Sequence, residues 1–166
     1  MRKPAAAAGK QEDRQISLTG ELLRLLEQSV WANRRWIEFV YAQSEDETRP
    51  RELLGHIVIS EQVWLDRVEG RPEASTTFAV LEKEELLRLL EESRQRFQVL
   101  VKTRLEDLVH FRRASGEEYD ARVVDILHQI LTHGYHHRGQ LALLYAARGV
   151  SFPNTDHINY LIENRL

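Results

Sequence analysis

There is no cysteine anywhere in the 166 residues. Disulfides, a thiolate nucleophile and thiolate metal ligands are excluded, so any metal must be held by histidine and carboxylate. A surplus of one charge is also missing. The chain has 23 Lys and Arg against 26 Asp and Glu, a formal charge of -3, so no broad positive field invites nucleic acid. The apolar runs are short and broken by charges, so none matches the roughly 20 residues needed to span a membrane. Met1 to Arg14 offers only Ala5 to Ala8 as an apolar patch, too short for a secretory signal. Residues 1–15 are read as a flexible tail, and a cytoplasmic location is expected. No internal repeat or low-complexity segment is visible. The remaining composition, 42% hydrophobic and 30% charged, suits one globular domain over residues 16–166.

Apolar residues recur at three- and four-residue spacing, the period of helices with one buried face. The first helix is expected from about Thr19, its N-cap, to Tyr41, with a stripe of Leu22, Leu26, Val30, Ile37 and Val40. Asn33 falls on that stripe. It is either a satisfied structural hydrogen bond or the wall of a polar pocket, because an unpaired buried amide costs roughly 1–3 kcal/mol. The second helix is expected from about Arg51, just after Pro50, to Glu69, stopped by Gly70 and Pro72. His56 borders its buried side. A loop from Arg71 to Val80 precedes a third helix, about Leu81 to Leu108. His110 to Arg122, with Ser115-Gly116 at its centre, reads as a short hairpin or an irregular loop, with Asp120 able to cap the next helix. That fourth helix is expected from about Ala121 to Ala147, ending at Gly149. A last short helix spans about Asp156 to Asn164. Four long amphipathic helices argue for an all-α helix bundle. The connections leave its topology open.

Three of the seven histidines lie between Leu131 and Gln140. At about 100° per residue, His133 and His137 differ by roughly 40° around the helix. They stack one turn apart, close enough to share an ion. His136 points roughly 100° away from His137, and His128 lies on nearly the opposite side. A third ligand must come from another helix. His56 is the one other histidine inside a long helix and near its buried side, and bundles build metal sites from facing helices. Three neutral imidazoles leave coordination positions open, the pattern of a reactive site. Nitrogen donors suit zinc, nickel and copper. Gln140 either orients a ligand or makes a packing contact. Arg138 is expected to pair with a carboxylate or brace a neighbouring helix. Gly134 permits a close approach.

The run His133-Gly134-Tyr135-His136-His137-Arg138-Gly139-Gln140 resembles the signature of the DinB/YfiT-like metal-binding bundles: a histidine, three residues, a second histidine, then Arg-Gly-Gln. Trp31-Ala32-Asn33-Arg34-Arg35 is similar to that family's first-helix motif. His56-Ile57 with Glu61 and Trp64 is similar to its second. Gly149, Pro153, Thr155-Asp156 and Tyr160-Leu161 are similar to its C-terminal motif. The resemblance runs from about Leu18 to Leu161. It implies an up-down-down-up four-helix bundle with a short C-terminal helix and, commonly, a homodimer. It also implies one divalent metal, zinc or nickel, held by His56, His133 and His137, with water at the open positions. Members with an assigned role include S-transferases that use bacillithiol or mycothiol, a maleylpyruvate isomerase, and hydrolases inferred to be metal dependent. The family's DNA-damage label has no counterpart in this sequence.

Three functions are expected in order of preference. The leading one is a metal-dependent thiol S-transferase acting on small molecules. The metal would lower the pKa of a low-molecular-weight thiol and present it to an electrophile. The absence of cysteine means that such a thiol comes from a cofactor. Asn33 and Gln140 then either hold the ligands in place from behind or touch the substrate. The alternative is a hydrolase using metal-bound hydroxide, with Glu61 the candidate base. The third is a stress-related protein whose metal staples the bundle or whose site is vestigial.

Overall fold

A computed structural model describes residues 17–43, 47–73, 76–112 and 115–165. The tail expected over residues 1–15 lies outside them. The elements are α1 (Leu18–Tyr41), α2 (Thr48–Glu69), α3 (Lys83–Thr103), β1 (Leu108–Arg112), β2 (Glu118–Arg122), α4 (Val123–Ala147) and α5 (His157–Asn164).

The helix ends differ from expectation for local reasons. Ser17, not Thr19, is the N-cap of α1: its backbone is extended and its Oγ accepts from the Gly20 amide at 3.1 Å. Thr19 then sits inside the first turn. α2 starts at Thr48, three residues before Arg51, and Pro50 falls third in its first turn, where a missing N–H still breaks no helical bond. Gly70, at φ 68°, closes α2 in the left-handed region, which glycine enters without steric cost. The largest correction is to α3. It stops at Thr103 rather than Leu108. Leu108 is 67% exposed and opens β1. The α3 period ends where the chain turns into an antiparallel hairpin. There Leu108 pairs with Arg122 and Arg112 with Glu118. Asp120 does not cap α4. It lies in β2 opposite His110, and its Oδ1 is 3.0 Å from the His110 Nδ1. Arg122 holds the cap position.

Side-chain links between helices give the direction of each. Asn33 of α1 meets Glu61 of α2, and Tyr41 at the end of α1 donates to the Leu81 carbonyl just before α3. α2 and α3 run parallel, because Gln62 reaches Ser93, Arg96 reaches Asp66 and Arg104 reaches the Val68 carbonyl. α4 runs with α1, since Tyr135 meets Gln28 and the Trp36 and Tyr145 rings stand 6.1 Å apart. The bundle is therefore up-down-down-up. α1 and α2 each pack against both α3 and α4.

The core fills the centre of this square. Trp36, Phe97 and Tyr145 are its largest members, with Leu22, Ile37, Leu53, Leu86, Leu90 and Leu127 around them. At about 25 cal/mol per Å² of apolar surface, each large aromatic contributes several kcal/mol on burial. Glu47 is buried ahead of α2. It accepts from Tyr145 Oη at 3.0 Å and from both terminal nitrogens of Arg148, tying the start of α2 to the end of α4. Among the described residues, no helix is long and apolar enough to cross a membrane.

Candidate metal centre

α2 and α4 face each other in antiparallel register, and their histidines meet between them. The ring centroids of His56 and His137 are 4.5 Å apart, those of His56 and His133 4.9 Å, and those of His133 and His137 4.4 Å. One ligand atom from each of the three lies within 4.8 Å of the others. Among the described residues this is the group able to hold a metal ion, and it contains no carboxylate.

Hydrogen bonds set which nitrogen of each ring is free. His56 Nδ1 lies 2.9 Å from the Thr77 carbonyl, which can only accept, so Nδ1 carries the proton and Nε2 keeps its lone pair. His137 Nδ1 lies 2.8 Å from Gln140 Oε1 and is fixed the same way. The Gln140 amide nitrogen is 3.1 Å from His136 Nε2, which accounts for both ends of that amide. His137 Nε2 faces His133 Nε2 at 3.0 Å. Nitrogens on two corners of tetrahedral zinc stand about 3.3 Å apart at normal bond lengths, so this spacing needs little change. The donor set fits a borderline divalent cation such as zinc or nickel.

Burial disfavours the protonated form of all three rings. It holds His133 down at about 4, with the neighbouring His137, His56 and His136 adding to the effect. It lowers His56 and His137 as well, and the nearby Arg49 charge pushes both the same way. A neutral imidazole has no proton to lose before it binds.

Three contributors carried no signal in the helical pattern. The loop before α3 folds back along α2, bringing the Thr77 carbonyl to His56 and laying the Phe78 ring flat on the His56 ring at 3.9 Å. Gly55 makes room for it. A Cβ there would meet the Ala79 carbonyl oxygen at 1.9 Å. A glycine inside a helix, next to a candidate ligand, is the mark that could have pointed to this loop. Arg49 lies 5.7 Å from the Phe78 ring, on the first turn of α2.

Asn33 and Gln140, paired in expectation, have different surroundings. Gln140 touches His137, one of the three candidate ligands. Asn33 does not: its Nδ2 donates to Glu61 Oε1 at 3.1 Å and its Oδ1 accepts from Arg138 Nη1 at 2.6 Å. It belongs to a buried link through α1, α2 and α4. Gly134 admits the Arg138 guanidinium itself, since a Cβ there would come within 2.9 Å of Nη1. Arg138 thereby braces α1 through Asn33 and Ser29. Glu61 faces this link and hydrogen-bonds Ser93, and burial pushes its carboxyl up to about 7. His136 is exposed beside His137, and His128 is exposed.

A search of curated proteins finds no match. A family model described as the DinB superfamily matches residues 13–141, a span that contains His56, His133, His137 and Gln140. With the match covering most of the chain, and the up-down-down-up bundle beneath it, this protein belongs to the DinB superfamily.

Proposed function

We propose that this chain is a metal-dependent enzyme of the thiol S-transferase type, acting on small molecules. The observation that carries the reading is the convergence of three imidazoles with the Nδ1 atoms of His56 and His137 already committed to Thr77 and Gln140. A divalent cation with three neutral nitrogen ligands keeps open positions and supplies a Lewis-acidic centre that lowers the pKa of a thiol. The residues around it do the rest. His56, His133 and His137 would hold it. Gln140 and the Thr77 carbonyl keep two of the rings in the right tautomer and orientation. Phe78 covers one face of His56 and keeps water from that side. Arg49 adds positive charge beside the group, which favours a bound anion such as a thiolate.

The thiol would be a low-molecular-weight cofactor, since the chain has no cysteine. The hydrolase reading wants a base near the cation. Its candidate, Glu61, is 6% exposed and bonded to Asn33, on the far side of α2 from that task. A homodimer and a cytoplasmic location remain part of this reading, as proposals. The test is conjugation of physiological small thiols to a model electrophile, with zinc, with nickel and after chelation. Metal-dependent conjugation with at least one thiol supports the proposal. No conjugation with any thiol under any metal condition overturns it.

A further inference from the structure

The face that carries the histidines does not end with them. On α2, steps of four residues lead from His56 to Ser60 and Trp64. On α4, they lead from His137 to His133, Gln129 and Asp125. Each such step advances about 6 Å and turns about 40°, so the rows swing by about 80° at Trp64 and about 120° at Asp125 as they run toward the hairpin. They arrive at a cavity of about 350 Å³ between the two helices and the hairpin, lined by Trp64, Phe111, Tyr119, Ile126 and Gln129. That volume lies at the lower end of the range for small-molecule sites.

Its walls are aromatic and ordered against each other. Trp64 stands edge-on to Phe111 at 5.3 Å, and Phe111 stacks on Tyr119 at 6.1 Å. Arg67 backs the wall, 4.6 Å from the Trp64 ring. Such rings favour a flat ring packed by stacking or edge contact over a saturated body of equal size. The polar rim is Gln129 and the carboxylate of Asp125, and the Arg67 charge behind the wall is paired with Glu73 at 2.8 Å, so a neutral ring suits the site better than an anion.

We propose that this cavity is the substrate-body subsite of the histidine centre. It takes the flat, neutral aromatic part of an elongated electrophile, whose reacting group lies roughly 6–12 Å away along the helices, the distance of one turn of α4 or two of α2. The proposal rests on the three imidazoles being the reacting end. The subsite itself is built by Trp64 and by the hairpin, which packs onto the core through Val109 and Ala121.

The test uses two neutral probes of similar size, 4-nitrobenzyl alcohol and cyclohexylmethanol, with binding to the full chain followed by ligand-observed NMR. The nitroaromatic is expected to bind about tenfold more tightly, with or without metal. Phe111→Leu combined with Tyr119→Leu keeps apolar bulk but removes two aromatic walls. It is expected to abolish that preference while metal content stays unchanged. Trp64→Leu is expected to do the same, and the hairpin variant keeps the test valid if that helix variant does not fold. Equal binding of the two probes, or an undiminished preference in the hairpin variant, overturns the proposal. So does a self-association that the hairpin variant abolishes when neither probe binds, because the cavity is then a subunit contact. The two readings fail separately. A chain that prefers the nitroaromatic but binds no metal refutes the metal centre alone, and a chain that binds metal without ring preference refutes the subsite alone.

Discussion

Gln140 Oε1 accepts from His137 Nδ1 at 2.8 Å, and this one contact turns the lone pair of His137 Nε2 toward His133. Gln140→Leu keeps the helix and the bulk but releases the ring. Loss of such an orienting partner typically weakens metal binding by about 10–100-fold. Chelator-competition titration should show that loss with an unchanged helical circular-dichroism spectrum. Unchanged affinity would assign Gln140 to packing alone.

Gly55 is predicted to be as sensitive as a ligand, though it touches no ion. Gly55→Ala places a Cβ 1.9 Å from the Ala79 carbonyl oxygen, a clash with backbone rather than with a side-chain tip. The loop must move, and the Thr77 contact to His56 goes with it. Overpacking of this kind costs about 1–3 kcal/mol. A lower melting temperature together with weaker metal binding is expected. A variant of wild-type affinity would show that the loop does not set the His56 ring.

The bundle was readable in the sequence because its stripes are long and regular. Leu86, Leu90, Phe97 and Leu100 mark α3 unambiguously, and all four are buried. Leu108 continues that spacing by coincidence. Periodicity cannot see that the chain has left the helix, since the hairpin is set by pairing with residues 118–122. The two α4 histidines were readable for the same reason as the stripes, being one turn apart. His56 was the remaining histidine on a buried-side helix position. The Thr77 carbonyl and Phe78 were not readable, because a loop that folds back along a helix leaves no periodic trace. Asn33 stood out as polar on an apolar stripe. Nothing local named its partners, which come from α2 and α4.

The pH dependence of metal binding comes from burial of the rings. Three imidazoles at the ordinary value would each be half protonated at pH 6.5, weakening binding about eightfold. All three are held below that value, His133 at about 4. With His133 unprotonated at pH 6.5 and the other two each less than half protonated, affinity is therefore expected to fall by less than about fourfold between pH 8 and 6.5 and to weaken below that. An eightfold loss by pH 6.5 would contradict the buried, neutral state.

The metal-free chain should show two stability effects of opposite sign. The histidines have folded pKa values below the unfolded 6.5, so the unfolded state takes protons first. Their contribution is lost as pH falls from 6.5 toward 4. Glu61 is raised from 4.5 to about 7, so the folded state holds its proton longer. Its contribution is present at low pH and is lost as pH rises from about 4.5 through about 7, by on the order of 3 kcal/mol. Glu61→Gln cannot lose a proton. Its stability relative to the unsubstituted chain should rise between pH 5 and 8 in denaturant titrations. A difference that does not change with pH would mean that Glu61 is already ionised in the core.

The central claim is that His56, His133 and His137 together hold one divalent cation. Elemental analysis of the purified chain beside His137→Ala tests it most directly, with circular dichroism to confirm that both are folded. One zinc or nickel per unsubstituted chain, and none in the variant, is the predicted result. Metal retained at full stoichiometry by a folded His137→Ala chain would contradict it.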